Sequence, residues 1–131
     1  MATTSTTARA DLRAYRESVQ RSDAQIVEAL RDLLGARLVA YLGGVQETRA
    51  VRQWADGERA PSAAVMQRLR TAYHVAGLLR EKDSAAVVQA WFQGMNPQLE
   101  DVAPGRVLRE GDLEQAGPRV LAAARAWIAA A

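Results

Sequence analysis

Cysteine is absent from the 131 residues, so no disulfide, thiolate metal site or cysteine nucleophile can be built. There is one histidine, His74; any Ser/His pair would have to use it, and a zinc site would need carboxylates gathered around that single imidazole. Lysine is nearly missing too, with Lys82 alone against sixteen arginines. Four prolines, nine glycines and 5% aromatics leave too few turn residues for an all-β sandwich or barrel. No apolar run approaches the length of a membrane span. The first seven residues, Met1-Ala-Thr-Thr-Ser-Thr-Thr, lack the positive and apolar regions of a signal peptide. A cytoplasmic protein with no membrane partner is expected.

Alanine and arginine fill the space these absences leave. Apolar residues make up 49% of the chain, yet 27 of them are alanine, a composition that favours helix and disfavours strand. The net charge of +2 is unevenly spread. Residues 1–80 carry 12 basic and 8 acidic groups, whereas residues 81–131 carry 5 and 7. Six arginines (Arg49, Arg52, Arg59, Arg68, Arg70 and Arg80) fall between 49 and 80. This asymmetry points to an anionic partner for the first half and a different partner for the second.

No segment alternates with period two, and the fold class expected is all-α: a helical bundle with a helix-turn-helix, followed by a small C-terminal helical domain. Residues 1–9, rich in Thr and Ala, read as a mobile arm. A short helix from Ala10 to about Gln20 puts Leu12, Tyr15 and Val19 on one side. Ser22, with Gln25 three residues on, reads as a capping box for a helix bearing Ile26, Leu30, Leu33 and Leu34 and ending at Gly35. Further helices are expected at 36–42 and about 47–55, broken by Gly43-Gly44 and closed by Asp56-Gly57. Pro61-Ser62 opens a long helix to about Glu81 with Val65, Leu69, Ala72, Ala76 and Leu79 at helical spacing. Asp83-Ser84 caps the next, bearing Val87, Val88, Trp91 and Phe92. Pro104 begins a short helix closed by Gly111, and Pro118 opens the last, with Val120, Leu121, Ala124, Trp127 and Ile128. The expected boundaries are 10–82 for the helix-turn-helix region and 83–131 for the second domain.

Two short helices about a glycine turn, the second anchored by Val51 and Trp54, form a helix-turn-helix pattern. Ala40 lets the helices approach, and Gly43 or Gly44 turns the chain. Glu47, Thr48, Arg49, Arg52 and Gln53 are left facing outward. Arginine can bond guanine O6/N7 bidentately and glutamine can do the same to adenine, so these five are the candidate operator-DNA contacts. The run Leu42-Gly43 … Val51-Arg52-Gln53-Trp54-Ala55-Asp56-Gly57 … Pro61 resembles the Xre-type helix-turn-helix, with a turn one or two residues longer. Downstream, Ala90-Trp91-Phe92-Gln93-Gly94-Met95-Asn96-Pro97-Gln98-Leu99 and Pro104-Gly105-Arg106-Val107-Leu108-Arg109-Glu110-Gly111 resemble the C-terminal domain of Xre/MbcA/ParS-type antitoxins. Phe92 replaces the usual leucine, and Val107-Leu108 replaces a leucine pair.

The resemblance implies a type II antitoxin that binds a RES-domain, NAD-targeting toxin and autoregulates its operon through DNA. It also implies that the C-terminal end, about Arg125 to Ala131, blocks the toxin's active-site entrance, with Arg125, Trp127 and Ile128 as candidate toxin contacts. The same residues could instead pack as a helix or dimer contact. A homodimer or higher oligomer is expected, because readers of this type use paired half-sites. A stand-alone DNA-binding regulator, or a protein-interaction module with a degenerate helix-turn-helix, are the competing readings. No enzyme, cofactor or metal is expected. His74 reads as a partly exposed helix residue, Asp112/Glu114 and Glu100/Asp101 as solvated charges, and Gly43-Gly44 lacks the ending of a phosphate loop.

Overall fold

The computed structural model of the chain describes residues 2–130. Among them are eight α-helices and no strand: α1 (Ala2–Gln20), α2 (Asp23–Leu34), α3 (Ala36–Leu42), α4 (Thr48–Ala55), α5 (Ala63–Arg80), α6 (Ala85–Gln93), α7 (Pro104–Glu110) and α8 (Leu113–Ala130). A single 3-10 turn, Pro97–Leu99, links α6 to α7. None of these helices is long and apolar enough to cross a membrane.

Local chemistry sets most of the boundaries. Ser22 Oγ accepts from Gln25 N at 3.2 Å while Gln25 Oε1 accepts from Ser22 N at 3.0 Å, a reciprocal cap that satisfies two of the four orphan donors. Ser62 and Ser84 cap α5 and α6 by accepting from Val65 N and Val87 N, each at 3.2 Å. Gly35, at φ +86°, ends α2 and starts α3; that conformation costs glycine little.

Helix α5 is the spine. Met66, Leu69, Ala72, Tyr73, His74, Val75, Ala76, Leu78 and Leu79 are buried on it, far more than the single stripe read from the spacing, because α1, α2, α6 and α8 surround it. One continuous apolar cluster runs from Ile26 of α2 through Trp54, Leu69 and Phe92 to Ile128 of α8.

Three expectations are corrected. First, α1 begins at Ala2, so helix occupies the described part of the segment read as an arm; Met1 lies outside the described residues. Once the downstream turns are fixed by packing, each added residue gains a hydrogen bond without a new nucleation step. Second, the face of α1 is inverted. Leu12, Tyr15 and Val19 are 49%, 51% and 56% exposed, while Ala10, Ala14 and Ser18 are buried. A Cβ on Gly77 of α5 would lie 3.2 Å from Ala14 Cβ, so small residues let the two helices pack too closely for bulky side chains between them. Third, α8 starts at Leu113 rather than at Pro118. Asp112 holds its first turn, with Oδ1 accepting from Glu114 N at 3.3 Å and its carbonyl accepting from Gln115 N and Ala116 N. Pro118 lies inside the helix and forfeits one intrahelical bond.

Candidate functional site

Helices α3 and α4 are locked by one contact. A Cβ built on Gly43 would stand 2.8 Å from Trp54 Cζ3 and 3.0 Å from Cη2, so Trp54 of α4 occupies the space that glycine leaves at the end of α3. Between the two candidate turn glycines, this assigns the close approach to Gly43. Gly44, at φ +73°, supplies the reversal. Val45 N donates to Ala40 O at 3.0 Å, and Arg68 Nη1 of α5 donates to Leu42 O at 2.9 Å, satisfying the end of α3 and fixing it to the spine.

With Val51 and Trp54 buried, the opposite side of α4 faces solvent. Glu47, Thr48, Arg49 and Arg52 are exposed and Gln53 is half-buried, so the five expected contacts do lie on one exposed stretch. Their electrostatics differ from the bare sequence picture. Arg52 Nη1 sits 3.2 Å from Asp56 Oδ2 and 3.4 Å from Glu58 Oε1, whereas Arg49 has no ion pair among the described residues. Gln53 Oε1 accepts from Arg59 Nη1 at 3.3 Å. Arg59, which the sequence reasoning leaves out of the face, joins Arg49 and Gln53 in lining a shallow concavity; its signal was only membership of the arginine run.

That run contributes less free charge than its count suggests. Arg68 is committed to Leu42 O. Arg70 donates to Ser18 O and Arg21 O at 2.9 and 2.8 Å and pairs with Asp23 Oδ1 at 2.6 Å, stapling the α1–α2 junction to α5. Arg80 donates to Asp83 O. On the α4 face, Arg49 and Arg59 therefore carry the positive charge that no carboxylate offsets, while Arg52 is held between Asp56 and Glu58.

The three residues expected near the C-terminus do not form one surface. Arg125 Nε pairs with Asp11 Oδ2 of α1 at 2.7 Å. Trp127, 46% exposed, donates from Nε1 to Asp83 Oδ2 at 3.0 Å, before α6. Ile128 is buried in the core, 3% exposed. Successive helical residues turn by about 100°, so positions 125, 127 and 128 point three ways; Ala131, the end of the expected blocking segment, lies outside the described residues.

His74 also departs from expectation. It is 7% exposed, with Nε2 2.7 Å from Asp11 Oδ1 and the Tyr15 ring edge-on with centroids 5.6 Å apart. Asp11 thus joins α1, α5 and α8. Burial pushes its pKa upward, but hydrogen bonds from Arg125 and His74, with their charges, prevail and hold the carboxyl below its ordinary value. Thr71 and Ser18 line the groove beside this cluster, and Ser18 Oγ donates to Tyr15 O at 2.6 Å. No family model, curated protein or solved structure matches the chain.

Proposed function

We propose that the chain is a DNA-binding antitoxin whose α3–turn–α4 unit holds operator DNA and whose second half neutralises a RES-domain toxin by direct binding. The observation that carries the DNA reading is the seat of Trp54 on Gly43, which fixes a short helix with Arg49, Arg52 and Gln53 turned outward. Arginine and glutamine on such a helix have the donors and acceptors that base edges in the major groove require. Half-site pairing adds the surface that one short helix lacks, so the DNA-bound form is a homodimer or larger. The toxin arm rests on the resemblance of Ala90–Leu99 and Pro104–Gly111 to antitoxin C-terminal domains.

A second reading, a protein-interaction module with a degenerate helix-turn-helix, draws on the three carboxylates (Glu47, Asp56 and Glu58) that share this surface. Selection of a random-sequence duplex library with the full chain separates the two. The DNA reading requires a consensus sequence, and Arg49→Ala must weaken its binding by about 1–3 kcal/mol if Arg49 reads a base, or reduce the salt slope by about one if it holds a phosphate. Selection of no sequence above background would leave the interaction-module reading. Co-expression with a RES-domain protein tests the toxin arm, which fails if the two do not co-purify.

A further inference from the structure

One hydrogen bond on the outward side of α4 fixes what Gln53 can offer a base. Gln53 Oε1 accepts from Arg59 Nη1 at 3.3 Å. A guanidinium has five donors and no acceptor, so the amide can face it only with its oxygen, and the Nε2 hydrogens turn away from it. The backbone holds Arg59 in place as well. Gly57, at φ +76°, reverses the chain after α4, and Glu58 N and Arg59 N both donate to Gln53 O, at 2.9 and 3.3 Å. Arg59 is exposed and has no ion pair among the described residues. Arg49, also exposed, lies four positions before Gln53 and so shares its side of the helix. The carboxylates of this surface are committed or distant. Asp56 and Glu58 are paired with Arg52. Glu47 lines the same concavity but precedes the helix, about 9 Å of rise from Gln53. Around Gln53 the groups left to meet a base are therefore donors.

We propose that Arg59 sets the base specificity of α4 by holding Gln53 as a hydrogen-bond donor, so that the base facing Gln53 is read as guanine and not as adenine. This rests on the DNA reading proposed above and narrows it. A glutamine pairs with adenine through both ends of its amide, Oε1 accepting from the N6 amino group and Nε2 donating to N7. Here Arg59 engages Oε1. The second lone pair of that oxygen does not restore the pairing, because the adenine amino group would have to approach beside the guanidinium, donor against donor. Guanine removes the conflict: it carries an acceptor, O6, where adenine carries the amino group, and N7 is a second acceptor beside it. Nε2–H of Gln53 can donate to either, and the charge of Arg59 favours both. The adenine preference that glutamine has by itself is thus reversed by a residue six positions downstream. Arg59 acts through Gln53 and is a positioning residue, so its loss must change which base is preferred and not only how tightly DNA is held.

The test uses the full chain and a random-sequence duplex library at one fixed salt concentration, followed by competition between the four bases at each consensus position. Gln53→Ala identifies the position that Gln53 faces as the one whose preference it flattens. There the parent should favour guanine over adenine by about tenfold, and Arg59→Ala should favour adenine by about fivefold or more, since the freed amide can then pair bidentately. Arg59→Lys retains a donor-only cation and should keep guanine. The side chains at 53 and 59 are partly or fully exposed, and the hydrogen bonds that close α4 run through the backbone, so these variants should keep the parent's circular dichroism. The outcomes separate the inference from its premise. Absence of any consensus for the parent removes the DNA reading and this inference with it. With a consensus in hand, three results overturn the inference alone: adenine at the Gln53-dependent position in the parent, no position that depends on Gln53, or an Arg59→Ala chain that binds all sequences more weakly by the same factor. The last would make Arg59 a phosphate contact.

Discussion

Gly43→Ala tests the contact that positions α4. The backbone at Gly43, with φ −76° and ψ −6°, suits alanine, so the substitution carries no backbone strain and should by itself stabilise by about 0.4–1 kcal/mol through the unfolded chain. Against this, the new methyl would stand 2.8 Å from Trp54 Cζ3, 3.0 Å from Cη2 and 3.3 Å from Val39 O. Trp54 is 6% exposed and Val51 beside it fully buried, so the indole has little room to retreat. Overpacking of this kind costs about 1–3 kcal/mol, and the net expectation is a loss of about 1–2 kcal/mol. Gly44→Ala is the control. There the nearest atom is Arg68 Nη1 at 3.7 Å but φ is +73°, so a loss of about 1–2 kcal/mol arises from backbone strain alone. Urea denaturation followed by far-UV circular dichroism gives both values. The two mechanisms separate in the Trp54→Leu background: the penalty at Gly43 should vanish, and that at Gly44 should persist. If Gly43→Ala is as stable as the parent, or its cost survives Trp54→Leu, close approach does not fix the reading helix.

Two titrations follow from the ties between α1 and α5. Burial, and the hydrogen bond at 2.6 Å to the Glu17 carboxylate with its charge, push the Tyr73 phenol from 10.0 up to about 12 against a smaller opposing effect of Arg21. A raised value favours the neutral form on folding, so this contribution is complete below pH 10 and is lost as pH rises through about 12. The tyrosinate absorbance lost in Tyr73→Phe should therefore belong to a late-titrating group, and an ordinary value for it would refute the burial argument. Asp11 has the opposite sign: its lowered carboxyl stabilises fully above its ordinary 3.8 and loses that stabilisation as pH falls through the lower folded value. Asp11→Asn should flatten the acid limb of the stability–pH curve; an unchanged limb would mean that the pairing with Arg125 and His74 contributes nothing.

What could be read from the sequence was what neighbouring residues decide among themselves. Ser22 with Gln25, the serine caps at Ser62 and Ser84, and the closures at Gly35 and Gly111 all act within a few residues, so their chemistry is visible in the string. The exposed face of α4 was legible for the same reason, since eight residues with two large apolar anchors leave one face free. Partnerships at long range were not. His74 meets Asp11 across 63 positions and Arg125 meets Asp11 across 114, and no spacing announces either. The inversion of α1 has a different cause. A reading that sends the bulkiest apolar residues inward misassigns a helix whose contact is made by Ala10, Ala14 and Gly77, where close approach matters more than side-chain size.

The expected boundary between 82 and 83 runs through a shared core, and this determines how the two proposed activities can be separated. Gln89 Nε2 of α6 donates to Leu33 O of α2 at 2.9 Å. Arg109 of α7 donates to Tyr41 O of α3 at 3.1 Å and lies 4.5 Å over the Tyr41 ring. A Cβ on Gly105 would approach Phe92 O to 3.0 Å and Leu38 and Tyr41 to under 4 Å. Val88, Phe92, Leu108, Val120 and Ile128 belong to the same cluster as Leu69 and Leu79 of α5, and each forfeits up to about 1.5–3 kcal/mol if left exposed. A piece of this size has little surplus with which to absorb such losses. Residues 83–131 expressed alone should therefore lack cooperative thermal unfolding by circular dichroism and regain helix on mixing with residues 1–82. A cooperative transition in 83–131 by itself would establish an independent domain and refute the shared-core argument. If the fragment is unfolded, deleting 125–131 is a poor test of toxin binding, because it removes Ile128 from the core along with Trp127 from the surface. Point changes at exposed sites, such as Arg49→Ala for DNA, then become the means of separating the two functions without unfolding the chain.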